Sequence, residues 1–86
     1  MGISEFDAGL TRDVLIELDI VAFTYQAGDR PNKGCMMIHL DGRYGYITLA
    51  DASSRVFRIF DYETDELLGR FSSVRDLING GWKVST

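Results

Sequence analysis

Cys35-Met36-Met37-Ile38-His39-Leu40-Asp41-Gly42-Arg43-Tyr44-Gly45-Tyr46-Ile47-Thr48 reads as a β-hairpin. Met36, Ile38 and Leu40 alternate on one arm, Asp41-Gly42 turns the chain, and Tyr44, Tyr46 and Thr48 alternate on the other. A strand repeats every two residues, so each set lies on one face of the ladder. A second hairpin follows, with arms Arg55-Val56-Phe57-Arg58-Ile59-Phe60-Asp61-Tyr62 and Glu66-Leu67-Leu68-Gly69-Arg70-Phe71 joined by the polar turn Glu63-Thr64-Asp65.

Downstream lies one short helix, about residues 73–79. Ser73 is its N-cap, Asp76 stands three residues on as in a capping box, Val74, Leu77 and Ile78 share a face, and Asn79-Gly80-Gly81 stops it. Trp82 and Val84 then form a final short strand or anchored tail. Upstream, Ser4 with Asp7 begins a further helical turn. The segment 13–25 admits two readings: Leu10, Val14, Leu18, Val21 and Tyr25 fit a helical face, whereas Ile16, Leu18 and Ile20 alternate with Glu17 and Asp19. Its wealth of Val, Ile, Phe, Thr and Tyr favours a strand, because these side chains lose freedom in helices and pack well on pleated sheets. Residues 26–34 hold the single proline and two glycines and read as an exposed loop.

The expected fold is mainly β within the α+β class. It is one globular domain over residues 1–86, a twisted antiparallel sheet of four to six strands, or a small barrel, covered by one helix. A chain this short buries only about 60–65% of its unfolded surface, so stability should be modest and a homo-oligomer is in keeping with its size. At 45% apolar and 12% aromatic residues, the composition is that of a folded globule rather than a disordered chain.

Several chemistries are disfavoured. Cys35 is the single cysteine, which rules out an intrachain disulfide or a thiolate zinc cluster and suits the cytoplasm. His39 lies four residues away, ~13 Å along a strand and too far to share a metal. One histidine among apolar neighbours leaves no readable catalytic triad, and no phosphate-cradling glycine loop is present, so no enzyme activity and no cofactor are expected. The acidic stretch Asp61, Glu63, Asp65 and Glu66 lacks the glycine and distal glutamate of a calcium loop and reads as a solvated hairpin tip. No apolar run approaches the ~20 residues of a membrane helix. The net charge of −4 disfavours broad binding to duplex phosphates, although seven of the nine basic residues are arginine, which suits bidentate and stacking contacts.

Tyr44-Gly45-Tyr46-Ile47-Thr48, followed by Asp51, Ser53 and Val56-Phe57-Arg58-Ile59-Phe60, resembles the paired ribonucleoprotein motifs of cold-shock domains, five-stranded oligonucleotide-binding barrels that hold single-stranded RNA or DNA. The likeness spans about 18 of the 86 residues. Ile59 stands where that family has a histidine, and Asp41-Gly42-Arg43 where it has a basic run. The resemblance implies that Tyr44, Tyr46, Phe57 and Phe60 stack bases, with Gly45 letting a sugar or base approach the backbone. Arg43, Arg55 and Arg58 are the phosphate contacts such a surface would need. Each base–aromatic stack contributes ~1–3 kcal/mol. The same aromatics serve equally well as core, since Tyr, Phe and Ile are what strands prefer.

Tyr25, Tyr62, Phe71 and Trp82 supply enough aromatic area to anchor a protein interface. The leading expectation is accordingly a non-enzymatic protein-binding module, an adaptor or inhibitor that self-associates through a sheet edge or apolar face and whose carboxylates suit a basic partner. Single-strand nucleic-acid binding is the alternative, and ligand sequestration in an arginine-lined pocket between chains is a third. The two leading classes part on exposure: stacking rings must face solvent beside arginine, whereas an interface tolerates them buried. The compact composition also suits a phage or mobile-element product.

Overall fold

The computed structural model describes residues 2–24 and 32–85. In chain order the elements are α1 (Glu5–Ile16), α2 (Ile20–Thr24), β1 (Cys35–His39), β2 (Tyr44–Ile47), α3 (Leu49–Ser53), β3 (Phe57–Asp61), β4 (Leu67–Phe71), α4 (Val74–Asn79) and β5 (Trp82–Val84). The five strands form one antiparallel sheet in the order β4-β3-β2-β1-β5, curled into a half-barrel. The expected mainly-β α+β architecture is therefore present, with both hairpins and a closing strand at Trp82 and Val84.

Segment 13–25 corrects the strand reading. Ser4 caps α1 by accepting the Asp7 amide, and Glu5 and Asp7 place negative charge in its first turn, so the helix starts upstream and runs to Ile16. Leu10, Val14 and Leu18 pack on the core, while Ile16 and Ile20, which a strand would have buried together with Leu18, are 43% and 55% exposed. Leu18 adopts a left-handed conformation (φ 56°), and a new short helix begins beyond it as the Asp19 side chain accepts the Val21 amide. Val21 accordingly leaves the expected helical face and points to solvent. Tyr25 and the loop expected over 26–34 fall largely outside the described residues.

Register sorts the sheet into two faces. Cys35, Met37, Ile47, Phe57, Ile59, Trp82 and Val84 lie on the first and merge into one core with Val14 and Leu15 of α1, Phe23 of α2, Ala52 of α3, and Val74 and Leu77 of α4. More than the single expected helix thus covers the sheet. The short α4 starts as anticipated, with the Ser73 hydroxyl accepting the Asp76 amide. The small α3, which the strand pattern did not suggest, is capped by Thr48 accepting the Asp51 amide.

The sheet's two edges differ. Along β5 the Val84 amide donates to the Thr11 hydroxyl at 3.0 Å, and that hydroxyl donates to the Asp7 carbonyl at 2.7 Å, so α1 closes this edge. Among the described residues the opposite edge is β4, which pairs with β3 alone.

Candidate functional site

Among the described residues, every helical side chain in the core packs on the first face, which leaves the second as the candidate site. Its layout follows from register alone. Met36 pairs with Tyr46, Tyr46 with Phe60 and Phe60 with Leu67, so one apolar row crosses four strands. Beside it Ile38 pairs with both Tyr44 and Lys83, and on the other flank Arg58 faces Arg70. Tyr44 and Leu67 are about half exposed, at 50% and 51%.

Tyr46 is held more tightly. Its ring lies 5.7 Å from that of Phe60, and its hydroxyl donates to Asp65 Oδ1 at 2.7 Å. The Lys33 ammonium reaches the same carboxylate oxygen at 3.0 Å and the Tyr62 carbonyl at 2.7 Å, and sits 5.7 and 5.4 Å from the Tyr46 and Tyr62 ring centroids. Burial, reinforced by the carboxylate, pushes the Tyr46 phenol up to about 12. The Tyr46 and Lys33 hydrogen bonds hold Asp65 below the usual carboxylate range. An ammonium between two tyrosines and a carboxylate is thus built into one end of this face.

Two of the three arginines of the stacking hypothesis, Arg43 and Arg58, already have carboxylate partners. Arg58 forks onto Asp51 through Nε (2.9 Å) and Nη2 (2.8 Å), and Asp51 is largely buried. Arg43 Nε bonds Asp41 at 2.7 Å, and its guanidinium lies 5.5 Å from the Trp82 ring centroid. Arg55 is exposed at a left-handed position (φ 59°) beyond α3. Like charges directly opposite on a ladder repel, so the Asp51 carboxylate also relieves the Arg58–Arg70 juxtaposition.

The four stacking candidates do not form one surface. Tyr44, Tyr46 and Phe60 share the second face, but Phe57 is 3% exposed within the core, opposite Phe71. Residues 57 and 60 are three apart, and strand alternation sends them to opposite faces. Gly45 likewise has another task from the one the resemblance implied. It faces the core, where a Cβ would stand 2.5 Å from Ile59 Cγ2 and 2.9 Å from the Phe60 carbonyl oxygen. Of the interface candidates, Trp82 is buried with its ring edge-on to His39 at 4.9 Å, Phe71 packs against the core, and Tyr62 is half-buried at the rim of the second face.

His39 is engaged at both ring nitrogens. Nδ1 lies 3.1 Å from the Asp41 amide, and Nε2 lies 2.8 Å from the Gly80 carbonyl, which can only accept, so Nε2 carries the hydrogen. Burial raises the Cys35 thiol to about 12, with Asp19 adding to the shift. Among the described residues no group of three or more His, Cys, Asp or Glu stands together to hold a metal. In the acidic turn, Asp61 Oδ1 accepts the Glu63 and Thr64 amides.

Beside Tyr44 lies a hollow of about 490 Å³ lined by Met36, Tyr44, Asp61, Tyr62, Glu63 and Ser85. It joins the second face to the β3–β4 turn and the chain beyond β5. Residues so far apart in sequence gave no local signal of it. No helix of the described residues is long and apolar enough to cross a membrane. No family model matches this sequence, and neither a curated protein nor a solved structure matches it.

Proposed function

We propose that the chain is a non-enzymatic protein-binding module that engages its partner through the second face of the sheet. The carrying observation is the Met36–Tyr46–Phe60–Leu67 row, apolar across four strands, on a face from which no core-forming helix side chain is contributed among the described residues. Apolar centre, tyrosines and a rim of charge are the composition of an interface, where Tyr and Arg are enriched at energetic hot spots. The acidic balance of the chain and the carboxylates at the Tyr44 end favour a partner with a basic surface. The β4 edge offers a route to self-association by strand pairing.

Single-strand nucleic-acid binding, the reading implied by the cold-shock resemblance, is less well supported. Of its four rings Tyr44 is half exposed, Tyr46 is 9% exposed and Phe57 is in the core, while Arg43 and Arg58 are already matched by carboxylates. Asp61 and Glu63 beside Tyr44 would also repel a phosphate chain. Sequestration would call for an arginine-lined site between chains, whereas the described charged residues of this hollow are Asp61 and Glu63.

Crosslinking capture in native extract tests the module reading. A partner held by the wild type and by Phe6→Asp, on exposed α1, should be lost from Leu67→Asp/Arg70→Glu on β4. A partner set that the β4 substitutions leave unchanged would overturn it. Titration with single-stranded DNA and RNA at low and high salt should show no salt-sensitive binding.

A further inference from the structure

We infer that the hollow beside Tyr44 is an arginine pocket, receiving a guanidinium side chain from a basic segment of the protein partner. This rests on the module reading and names the anchor that such a partner would present. The volume of about 490 Å³ falls within the ~300–1,000 Å³ typical of small-ligand sites. The described residues that line it are two tyrosines, a methionine, a serine, an aspartate and a glutamate, and none of these is cationic.

Each part suits a guanidinium. Tyrosine faces attract a cation through the ring quadrupole, and a planar guanidinium can stack on a ring while forking onto carboxylates. The Thr64 and Glu63 amides donate to the Asp61 carboxylate and hold its pKa below the usual carboxylate value, so the turn itself favours its charged form. Glu63 is exposed and makes no ion pair with a described residue, leaving its carboxylate available. Met36 supplies an adaptable apolar wall for the methylene stem. The protein uses the same recognition internally one step away, where Lys33 lies against Tyr46 and Tyr62 with its ammonium on Asp65. Arginine is favoured over lysine because its planar fork matches a carboxylate bidentately while its face stacks on an aromatic ring, which a compact ammonium cannot do.

The test is an amide NMR titration of the full chain with the peptide acetyl-Gly-Arg-Gly-amide and its citrulline and lysine counterparts. The arginine peptide should give saturable shifts centred on Met36, Tyr44, Asp61–Glu63 and Ser85. The neutral citrulline peptide should bind more weakly, and Glu63→Gln and Tyr44→Ala should each weaken the arginine peptide roughly two- to fivefold. Equal binding of arginine and citrulline, or shifts centred elsewhere, would sink the pocket. The same two variants in the crosslinking capture separate this inference from the module reading. If Leu67→Asp/Arg70→Glu loses the partner while Glu63→Gln and Tyr44→Ala retain it undiminished, the arginine pocket is wrong and the sheet-face module stands. If none of them changes the captured set, the module reading itself fails.

Discussion

The Tyr46 hydroxyl and the Asp65 carboxylate share a 2.7 Å hydrogen bond that ties the middle of the second face to the β3–β4 turn. The bond shifts both groups, in opposite directions. Tyr46 is raised from 10.0 to about 12, first by burial and then by Asp65; Asp65 is lowered from 3.8, first by Tyr46 and then by Lys33.

These shifts fix two limbs of the pH–stability profile. Above pH 10 an unfolded tyrosine ionises while folded Tyr46 keeps its proton, so its contribution is full below 10 and is lost as pH rises towards about 12. Asp65 contributes above its unfolded value of 3.8, and that contribution disappears as pH falls through the lower folded value. Tyr46→Phe should therefore lessen both the alkaline and the acid loss. Urea midpoints across pH check this, and an unchanged acid limb would show that Asp65 does not depend on the phenol.

Gly45 and Gly9 should respond oppositely to alanine. At Gly45 a methyl group meets Ile59 and the Phe60 carbonyl within the sheet, so Gly45→Ala should destabilise by about 1–3 kcal/mol. At Gly9, inside α1, nothing stands within 4 Å, and alanine should stabilise by about 0.5–1 kcal/mol through helix propensity. Urea denaturation of the two variants decides it; a stabilised Gly45→Ala would reopen a ligand-approach role for that glycine.

Cys35 is 1% exposed, and burial holds its thiol at about 12. Since the thiolate is the nucleophile, a maleimide should label the native protein only through unfolding, with a rate that rises with urea in parallel with the unfolded fraction. Rapid labelling at neutral pH without denaturant would contradict this burial.

What was legible in the sequence was what local pattern encodes. Alternation and turn residues marked both hairpins, and Ser73 with Asp76 marked α4. The Phe57/Phe60 split was legible too, because an odd spacing in a strand crosses the sheet, but the motif resemblance grouped the two together. Segment 13–25 misled because its β-branched residues favour a strand while the deciding signal, the Ser4 cap, lies nine residues upstream of Asp13 and carries the helix through. The Asp51–Arg58 fork, the closure of β5 by Thr11 and the meeting of Met36, Glu63 and Ser85 arise from tertiary placement. Thr11 and Val84 stand 73 residues apart, and Asp51 and Arg58, though both lie in the stretch 43–60, fall there in a pattern that says nothing of their pairing.

The two faces of the sheet should separate stability from binding. Phe57 is packed among Ile59, Ala52 and the other core side chains, so Phe57→Ala removes buried aromatic surface and leaves a cavity, a loss of about 3–5 kcal/mol. Tyr44 is half exposed on the other face, and Tyr44→Ala should change stability by no more than about 1 kcal/mol. If Tyr44 instead proves as costly as Phe57, its ring belongs to the core and the second face loses its most accessible anchor. If Tyr44→Ala keeps the fold and weakens partner capture, while Phe57→Leu, which retains much of the core volume, keeps both, the binding surface is the face that the helices leave uncovered. Thermal and urea melts, run beside the capture assay on the same preparations, distinguish these outcomes.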